Sequence, residues 1–265
     1  MFDVVILTVT PDLTQNEFDT LLPLVSPEKQ ARIKKLRFFR DALNCLLGDV
    51  LARIEICRAA NLNNSQLTFS TNAHGKPFLA NSPGIHFNVS HSGNYIACAL
   101  ADEPVGIDIE LIRPFDPKIA ERFFAPDEKA HIASNGNMAS FYEVWTKKES
   151  RIKWEGIGLS KPLSSFSVFD SGEPSQPVYH KAFQNSEAIC HVCSTKQVAP
   201  SARTMDAAAL MIAANKTQYE QNCTRSKTIF ATPISMRCQN ATELPSPKPH
   251  FSVDNPTWAK GASKA

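Results

Sequence analysis

The sequence predicts an α+β fold that is built on antiparallel sheets. Several short segments alternate apolar and polar residues, which is typical of half-buried strands, while longer segments repeat apolar residues at helical spacing. These segments follow one another in mixed order, without the strict strand–helix–strand alternation of a parallel sheet. The chain has 265 residues, of which 43% are hydrophobic and 20% charged, so it can form a sizeable core.

The N-terminal part begins with an apolar strand at 3–9 and continues into a helical region at 26–62. This region is predicted to form one long helix or two consecutive helices. Ser26 is a suitable N-cap and Pro27 a suitable first helical residue. Apolar side chains recur at helical spacing later in the region. They are Leu43, Leu46, Leu47, Val50 and Leu51.

Further strands and helices complete the prediction. Strands are expected at 66–70, 85–93, 95–101, 105–111, 163–170 and 188–194. Helices are expected at 117–124, 125–133 and 139–154, and 206–215 can form another. Beyond residue 200 the chain is rich in Asn, Thr, Ser and Pro, so 201–265 is predicted to be an atypical, partly disordered tail that the chemistry does not need.

Composition excludes several classes of protein. A net charge of +2 gives no reason to expect a nucleic-acid partner, and no apolar run approaches the length of a membrane span. The seven scattered cysteines fit reduced thiols in a cytoplasmic protein better than a disulfide framework. Cys190 and Cys193 are interpreted as strand residues and not as zinc ligands, because no second pair follows and positions three apart on a strand face opposite sides.

The strand at 105–111, which contains "GIDIE", carries two carboxylates on one face. Asp108 and Glu110 alternate with apolar residues, so their side chains point away from the apolar face and repel each other. Two interpretations are open. The carboxylates can lie on a solvent-facing strand edge, or they can bind Mg²⁺, which takes one or two carboxylates together with substrate phosphates.

Two other segments carry polar side chains in suggestive places. In "WTKKES", Glu149 and Lys153 are one helical turn apart, which fits either an exposed ion pair or a third metal ligand beside a phosphate-binding cation. In the second segment, 74–93, a turn-like Gly75-Lys76-Pro77 precedes a strand that ends in "SHSG". The imidazole of His91 in that strand is either structural or part of a binding site.

Together these segments resemble one enzyme family, the large, surfactin-synthetase-activating type of 4′-phosphopantetheinyl transferase. The resemblance covers about residues 20–195 and rests on the order and spacing of "SPEK", "LLGDVL", "GKPFL", "FNVSHSG", "VGIDIE" and "WTKKES". It implies a pseudo-twofold pair of α+β halves with the active site between them, here 1–104 and 105–200. It also implies a monomer that transfers 4′-phosphopantetheine from coenzyme A to a serine of an apo carrier protein and releases 3′,5′-ADP.

The resemblance also assigns roles to individual residues. The implied Mg²⁺ ligands are Asp108, Glu110 and Glu149. The implied catalytic residues are Glu149, as the base for the carrier serine, and Lys153. The implied contacts to coenzyme A are Lys29, Arg32, Gly75, Lys76, Pro77, Ser90, His91 and Lys153. Carrier docking is expected near 113–142, which borders the metal strand and leads into the Glu149 helix.

One departure from the family pattern leaves an alternative open. The family has a basic residue just before "LLGD", and here Asn44 stands there. Arg40, one helical turn earlier on the same face, is predicted to replace that base as a ligand of the 3′-phosphate. The alternative functions are a coenzyme A-binding protein of the same fold without transferase activity, and an unrelated metal-dependent phosphate hydrolase.

Overall fold

The computed structural model describes residues 1–9, 13–169 and 177–217. The elements of the N-terminal part are β1 (Phe2–Thr8), α1 (Gln15–Leu21), α2 (Pro27–Lys34), α3 (Phe39–Ala60), β2 (Phe69–Thr71), β3 (Pro77–Leu79), β4 (His86–Ser92) and β5 (Tyr95–Ala101). The elements that follow are β6 (Gly106–Leu111), α4 (Pro117–Phe123), α5 (Pro126–Asn135), α6 (Met138–Glu155), β7 (Val178–Gln184), β8 (Ala188–Ser194) and β9 (Ser201–Asp206). This mixed order confirms the α+β prediction.

Two sheets form the centre of the molecule. The first has the strand order β4-β5-β1-β9, in which only β9 runs parallel to its neighbour. The second has the order β6-β8-β7 and is antiparallel throughout. The strands β2 and β3 form a separate antiparallel pair. Each half of the protein therefore contains one of the two main sheets.

The sheets and helices stack in layers. On one face of the first sheet, apolar side chains of β1 and β5 pack with those of α3 in the largest buried cluster. The opposite face meets the second sheet through small residues such as Ala97 and Ala99. The helix α6 covers the outer face of the second sheet. Each half thus has one long helix against its sheet.

The helical region of the N-terminal half consists of two helices. Ser26 caps α2, because its hydroxyl accepts a hydrogen bond from the backbone N–H of Lys29 at 3.3 Å. The chain leaves helical geometry after Lys35 and re-enters it at Phe39. The apolar positions that the sequence placed on one helical face are all buried in the core. They are Leu43, Leu46, Leu47, Val50 and Leu51.

A buried ion pair takes the place of one predicted strand. Residues 163–169 contain a short 3₁₀ turn, Leu163–Ser165, and no strand, so the strand prediction for 163–170 is wrong over the residues that the structure describes. The ammonium of Lys148 on α6 donates to the carbonyl oxygens of Leu163 and Phe166, each at 2.7 Å. It also pairs with Glu128 at 2.8 Å, and both side chains are fully buried. These bonds satisfy backbone groups that a strand would have paired with a neighbour.

The residues after 200 differ from the expected irregular tail. Ser201–Asp206 forms β9 along the open edge of β1, and residues 207–217 are helical. The side chains of Ala207, Leu210 and Ala214 are buried in the core of the first half. Arg203 of β9 also donates a hydrogen bond to the buried Glu55 of α3. Residues 201–217 are therefore part of the N-terminal half, and 218–265 lie outside the described residues.

Two further expectations concern cysteines and membranes. Cys190 and Cys193 both lie on β8 as buried free thiols, as their interpretation as strand residues requires. Burial raises the pKa of both thiols. Within the described ranges, none of the helices combines the length and apolar character that a membrane span needs.

We expect Lys148→Met to destabilise the protein strongly, because it leaves the Glu128 carboxylate buried without its counter-ion. The loss in the free energy of unfolding should be about 3–5 kcal/mol, measured by denaturant unfolding. The matched control is Lys147→Met, which removes an i,i+4 pair with Glu143 on the same helix and should cost about 1 kcal/mol or less. Equal losses for the two variants would contradict the structural role of the buried pair.

Truncation should measure the contribution of residues 201–217 to stability. A chain that ends at residue 200 loses β9 and the apolar cover of 207–217, so it should melt at a lower temperature than the full chain. A chain that ends at residue 217 keeps all of the contacts described above and should melt close to the full chain. If the shorter chain is as stable as the longer one in thermal denaturation, β9 is dispensable.

Candidate active site

The candidate site lies where β6, α6 and β4 meet, and it takes residues from both halves. The ammonium of Lys153 on α6 donates to the Asp108 carboxylate of β6 at 2.7 Å and to the Ser90 hydroxyl of β4 at 2.9 Å. Ser90 in turn donates to the same Asp108 oxygen, Oδ1, at 2.9 Å. Asp108 is 3% exposed, so this cluster is closed to bulk solvent. The interpretation of these residues as a solvent-facing edge is therefore wrong for Asp108.

The glycine of "GIDIE" brings the strand and the helix together. A Cβ atom at Gly106 would lie 2.0 Å from the carbonyl oxygen of Ser150 and 2.3 Å from the backbone nitrogen of Trp154. No larger residue fits between β6 and α6 at this point. The close approach places Asp108, two residues later, against the last turns of α6. Gly156, with a φ of 69°, then ends the helix.

The edge of β6 is joined to β4 by side chains instead of a backbone ladder. Alternate residues of β4 each accept a hydrogen bond from a backbone N–H of β6. The pairs are Asn88 Oδ1 with Ile107 N–H at 2.8 Å, Ser90 Oγ with Ile109 N–H at 3.4 Å, and Ser92 Oγ with Leu111 N–H at 3.2 Å. We call this set of contacts the β4–β6 seam. It satisfies donors of an otherwise open strand edge and connects the two halves.

The seam also holds the two carboxylates of the strand. Asp108 accepts from Ser90, and the Glu110 carboxylate accepts from the Ser92 hydroxyl at 2.7 Å. Both side chains therefore lie on the β4 side of β6, as the alternation in "GIDIE" predicts. Ile107 and Ile109 are fully buried between the sheets.

Three carboxylates crowd this region around a single lysine. Burial raises the pKa of Glu110 to about 7, and the Asp108 charge acts in the same direction. Burial and Asp108 also raise the pKa of Glu149 to about 7. Desolvation acts against the ammonium of Lys153, but the charges of Asp108 and Glu149 raise its pKa overall. Ionisation of each carboxylate is therefore opposed by burial and by the charge of its neighbours, and a further cation would favour the ionised forms.

The carboxylate oxygens of the site are the ligand type that a hard cation prefers, although they do not provide a complete coordination shell. Asp108 Oδ2 is buried and has no hydrogen-bond partner among the described residues. In that part of the chain, no group of three or more His, Cys, Asp or Glu side chains is arranged to hold a metal ion by itself. Mg²⁺ is commonly held by one or two carboxylates with waters and substrate phosphates. An unpartnered carboxylate oxygen beside two further carboxylates matches that requirement.

Ser90 and His91 face opposite sides of β4. The Ser90 hydroxyl donates to Asp108 and accepts from Lys153 and Ile109, so its one donor and two lone pairs are all used. A phosphate contact by Ser90 therefore requires one of these bonds to break. His91 is exposed. Desolvation and the charges of Lys153 and Lys29 lower the pKa of His91.

The basic residues at the start of the chain lie on α2 and α3. Lys29 forms an ion pair with Asp49 at 3.4 Å, and Arg32 is exposed. Arg40 and Asn44 both contact the turn that joins β4 to β5. The guanidinium of Arg40 donates to the Asn94 side chain, and the Asn44 amide donates to the Gly93 carbonyl oxygen at 3.2 Å. Arg40 and Asn44 therefore share one face of α3, as predicted, next to the end of the "SHSG" strand.

The turn at 75–77 has a structural task as well. Gly75 has a φ of 83°, which favours glycine. The Lys76 ammonium donates to the carbonyl oxygens of Val105 and Trp154, at 3.0 and 3.3 Å. Desolvation lowers the pKa of Lys76 to about 8. Lys76 thus attaches the turn to the link between the halves and to the end of α6.

Sequence reasoning missed several residues that build the site. Ser92 and Asn88 were not assigned roles, although polar residues at every second position of "NVSHS" indicate a polar strand face directed at a neighbour. The use of Lys76 as an attachment between halves has no local signal, because its partners are backbone oxygens far away in sequence. The same is true of the buried pair Glu128–Lys148.

Comparison with known proteins gives a consistent result. Residues 11–103 match the family model described as 4′-phosphopantetheinyl transferase, N-terminal, and residues 104–209 match that of the 4′-phosphopantetheinyl transferase superfamily. The chain is 43% identical to 4′-phosphopantetheinyl transferase Sfp of Bacillus subtilis over 59% of its own length and 71% of the relative's. It is 37% identical to 4′-phosphopantetheinyl transferase gsp of Aneurinibacillus migulanus over 68% and 76% of the two lengths.

The raised pKa of Glu149 predicts a pH-dependent stability difference in metal-free protein. The folded pKa of about 7 lies above the ordinary value of 4.5, so the folded state keeps a proton that the unfolded state loses. Relative to Glu149→Gln, the wild type should therefore lose stability as the pH rises from about 4.5 to 7. Thermal unfolding of both proteins in EDTA across this window measures the difference. A constant difference would mean that Glu149 ionises normally in the folded protein.

Proposed function

The chain belongs to the 4′-phosphopantetheinyl transferase family, of the Sfp and Gsp type, and we propose that it moves the phosphopantetheine group from coenzyme A to a serine of an apo carrier protein. The proposed second product is 3′,5′-ADP, and the proposed metal is Mg²⁺. The carrying observation is the buried cluster of Asp108, Lys153 and Ser90 between the halves, with an unpartnered Asp108 oxygen. We further propose that the protein works as a cytoplasmic monomer without nucleic-acid or membrane partners.

The carboxylates of the site are suited to the metal role. Asp108, Glu110 and Glu149 would hold Mg²⁺, which when bound neutralises charge on the pyrophosphate of coenzyme A. Glu110 is held by Ser92, and Asp108 presents Oδ2 without a competing partner. Since the two glutamates have raised pKa values in the metal-free protein, their ionisation accompanies cation binding.

Lys153 provides a second positive charge for the leaving group. Its side chain is 16% exposed, and its ammonium forms an ion pair with Asp108 at 2.7 Å. Because the surrounding carboxylates raise its pKa, it stays protonated at neutral pH. A phosphate oxygen is an anionic acceptor like the carboxylate that the ammonium now contacts. The ammonium of Lys153 can therefore also donate to a phosphate of the nucleotide. There it stabilises the charge that develops as the bond from phosphorus to the leaving oxygen breaks.

Glu149 is the proposed base for the carrier serine. A carboxylate with a pKa of about 7 is a better proton acceptor at neutral pH than an ordinary one. A dication beside it favours the ionised form and weakens the base. Glu149 would therefore accept the serine proton late, as the serine oxygen bonds to phosphorus.

The remaining contacts to coenzyme A are proposed from the placement of basic residues near "SHSG". Lys29, Arg32 and Arg40 would bind the 3′-phosphate, together with His91. Asn44 occupies the position of the family's basic residue, and its Oδ1 atom is buried with no hydrogen-bond partner in the described part of the chain. The turn at 75–77 would contact the adenine, while Ser90 and Lys153 would contact phosphate oxygens after exchange of their present bonds.

Carrier docking is proposed at 113–142, which joins β6 to α6. Of the two adjacent phenylalanines in this range, Phe124 is 1% exposed and belongs to the core, whereas Phe123 is only partly buried. The guanidinium of Arg122 lies over the Phe123 ring, 5.1 Å from its centroid. Exposed residues of α4 therefore offer both apolar and charged contacts beside the reacting phosphate.

A transfer assay distinguishes the proposed function from its alternatives. The full chain is incubated with coenzyme A, an apo carrier protein and Mg²⁺, and the mass of the carrier is measured. We expect the carrier to gain one phosphopantetheine group, and excess EDTA to stop the reaction. Binding of coenzyme A with an unmodified carrier would indicate the non-transferring alternative. Release of phosphate with an unmodified carrier would indicate a hydrolase.

Replacement of the proposed base tests the mechanism. In Glu149→Gln the amide oxygen can still ligate a cation, but the side chain cannot accept a proton, so kcat should fall by about 10²-fold or more. Binding of coenzyme A, measured by calorimetry, should remain close to that of the wild type. The matched control is Glu143→Gln, on the same helix and paired with Lys147, which should keep its kcat. A Glu149→Gln variant with most of its activity would place the base elsewhere.

A further inference from the structure

The β4–β6 seam contains a serine to which no catalytic or binding role has been assigned above, and its hydroxyl lies between the backbone and a carboxylate. We propose that Ser92 is a positioning residue that holds the Glu110 carboxylate in the orientation in which it binds the cation. The inference rests on the proposed function, because it concerns the use of Glu110 as a ligand. It adds a residue to the site that acts through Glu110 and does not touch the substrate.

The direction of each hydrogen bond at Ser92 is fixed by the groups involved. The backbone N–H of Leu111 can only donate, so the 3.2 Å contact occupies a lone pair of Ser92 Oγ. The hydroxyl proton is then directed to the Glu110 carboxylate, 2.7 Å away. One end of this bridge is the backbone of β6 and the other is the side chain of the preceding residue. The bridge therefore fixes the carboxylate relative to its own strand.

The same arrangement occurs two residues earlier. Ser90 accepts from the N–H of Ile109 and donates to Asp108, the residue before Ile109. Each carboxylate of the strand thus has one serine of β4 that bridges it to the backbone. Asn88 repeats the backbone contact at Ile107, but the preceding residue there is Gly106, which has no side chain to hold. The seam therefore contains two contacts that position a carboxylate and one that does not.

Glu110 needs such a restraint because the groups around it favour other orientations. The Asp108 charge repels it, while the Arg113 charge attracts it. A glutamate side chain with three rotatable bonds would turn away from Asp108 and towards the guanidinium if the Ser92 bond were absent. The cation would then have to bring Glu110 back, and that reorganisation weakens binding. Groups that orient metal ligands in this way typically change metal affinity by about 10–100-fold.

The test measures cation binding and stability in four full-length proteins. They are the wild type, Ser92→Ala, Ser92→Thr and Asn88→Ala. Mg²⁺ binding is measured by calorimetry in the presence of coenzyme A and without carrier, so no turnover takes place. Thermal unfolding of the same proteins without metal reports the contribution of each seam contact to stability.

We expect Ser92→Ala to raise the Kd for Mg²⁺ by about 10-fold or more, with coenzyme A binding in EDTA unchanged. Ser92→Thr keeps the hydroxyl and suits a strand, so it should bind Mg²⁺ like the wild type. Asn88→Ala removes a seam contact of the same kind without a carboxylate, so it should lower the melting temperature and leave the Kd for Mg²⁺ unchanged. If Asn88→Ala fails to fold, Asn88→Ser provides the control.

Two results would overturn the inference. In one, Ser92→Ala binds Mg²⁺ as tightly as the wild type. In the other, Ser92→Ala and the Asn88 control lose cation affinity to the same extent, so the effect comes from the seam as a whole. A wild type that binds no Mg²⁺ with coenzyme A and does not modify a carrier would overturn the proposed function itself. The wild-type measurement therefore distinguishes failure of the premise from failure of the inference.

Discussion

The structure of the site depends on the β4–β6 seam, in which side chains of one half satisfy the backbone of the other. A strand edge with open N–H groups must find acceptors when it is buried. Here Asn88, Ser90 and Ser92 supply them. Two of these acceptors are hydroxyls, and each of the two hydroxyls also has a proton that it donates to a carboxylate. The contacts that join the halves therefore also orient Asp108 and Glu110.

Helix α6 carries two lysines that pair with buried carboxylates, Lys148, which is fully buried, and Lys153, which is partly buried. Lys148 meets Glu128 and two carbonyl oxygens, and it fixes the segment that follows the helix. Lys153 meets Asp108, whose second carboxylate oxygen has no partner among the described residues. Removal of a buried counter-ion is costly in both cases, and the carboxylates of Glu149 and Glu110 also act on Lys153. An ion pair whose hydrogen-bonding groups all have partners supports the fold. An ion pair with a carboxylate oxygen left over is suited to accept a further cation.

The sequence could predict much of the site because its signals are local. The alternation in "GIDIE" placed Asp108 and Glu110 on one face, and helical spacing placed Glu149 and Lys153 one turn apart on α6. The N-cap at Ser26 and the buried position of Leu46 likewise follow from capping preference and periodicity, and the structure confirms them. The family resemblance joined these signals into one enzyme, and similarity to named transferases confirms that family. The roles of the individual site residues stay predictions.

Contacts between distant residues were decided by the tertiary structure alone. The strand expected at 163–170 does not form over the described residues, because Lys148 and Glu128 form hydrogen bonds with its backbone groups. The strand β9 was not predicted, because the mostly exposed residues of Ser201–Asp206 show no apolar alternation. Ser90 and Lys76 were expected to serve a ligand, yet their polar atoms are occupied by Asp108 and by the ends of other elements. The physical reason is the same in each case. Alternation and helical spacing fix which face a side chain takes, whereas its hydrogen-bond partner depends on which strand or helix the folded chain brings beside it.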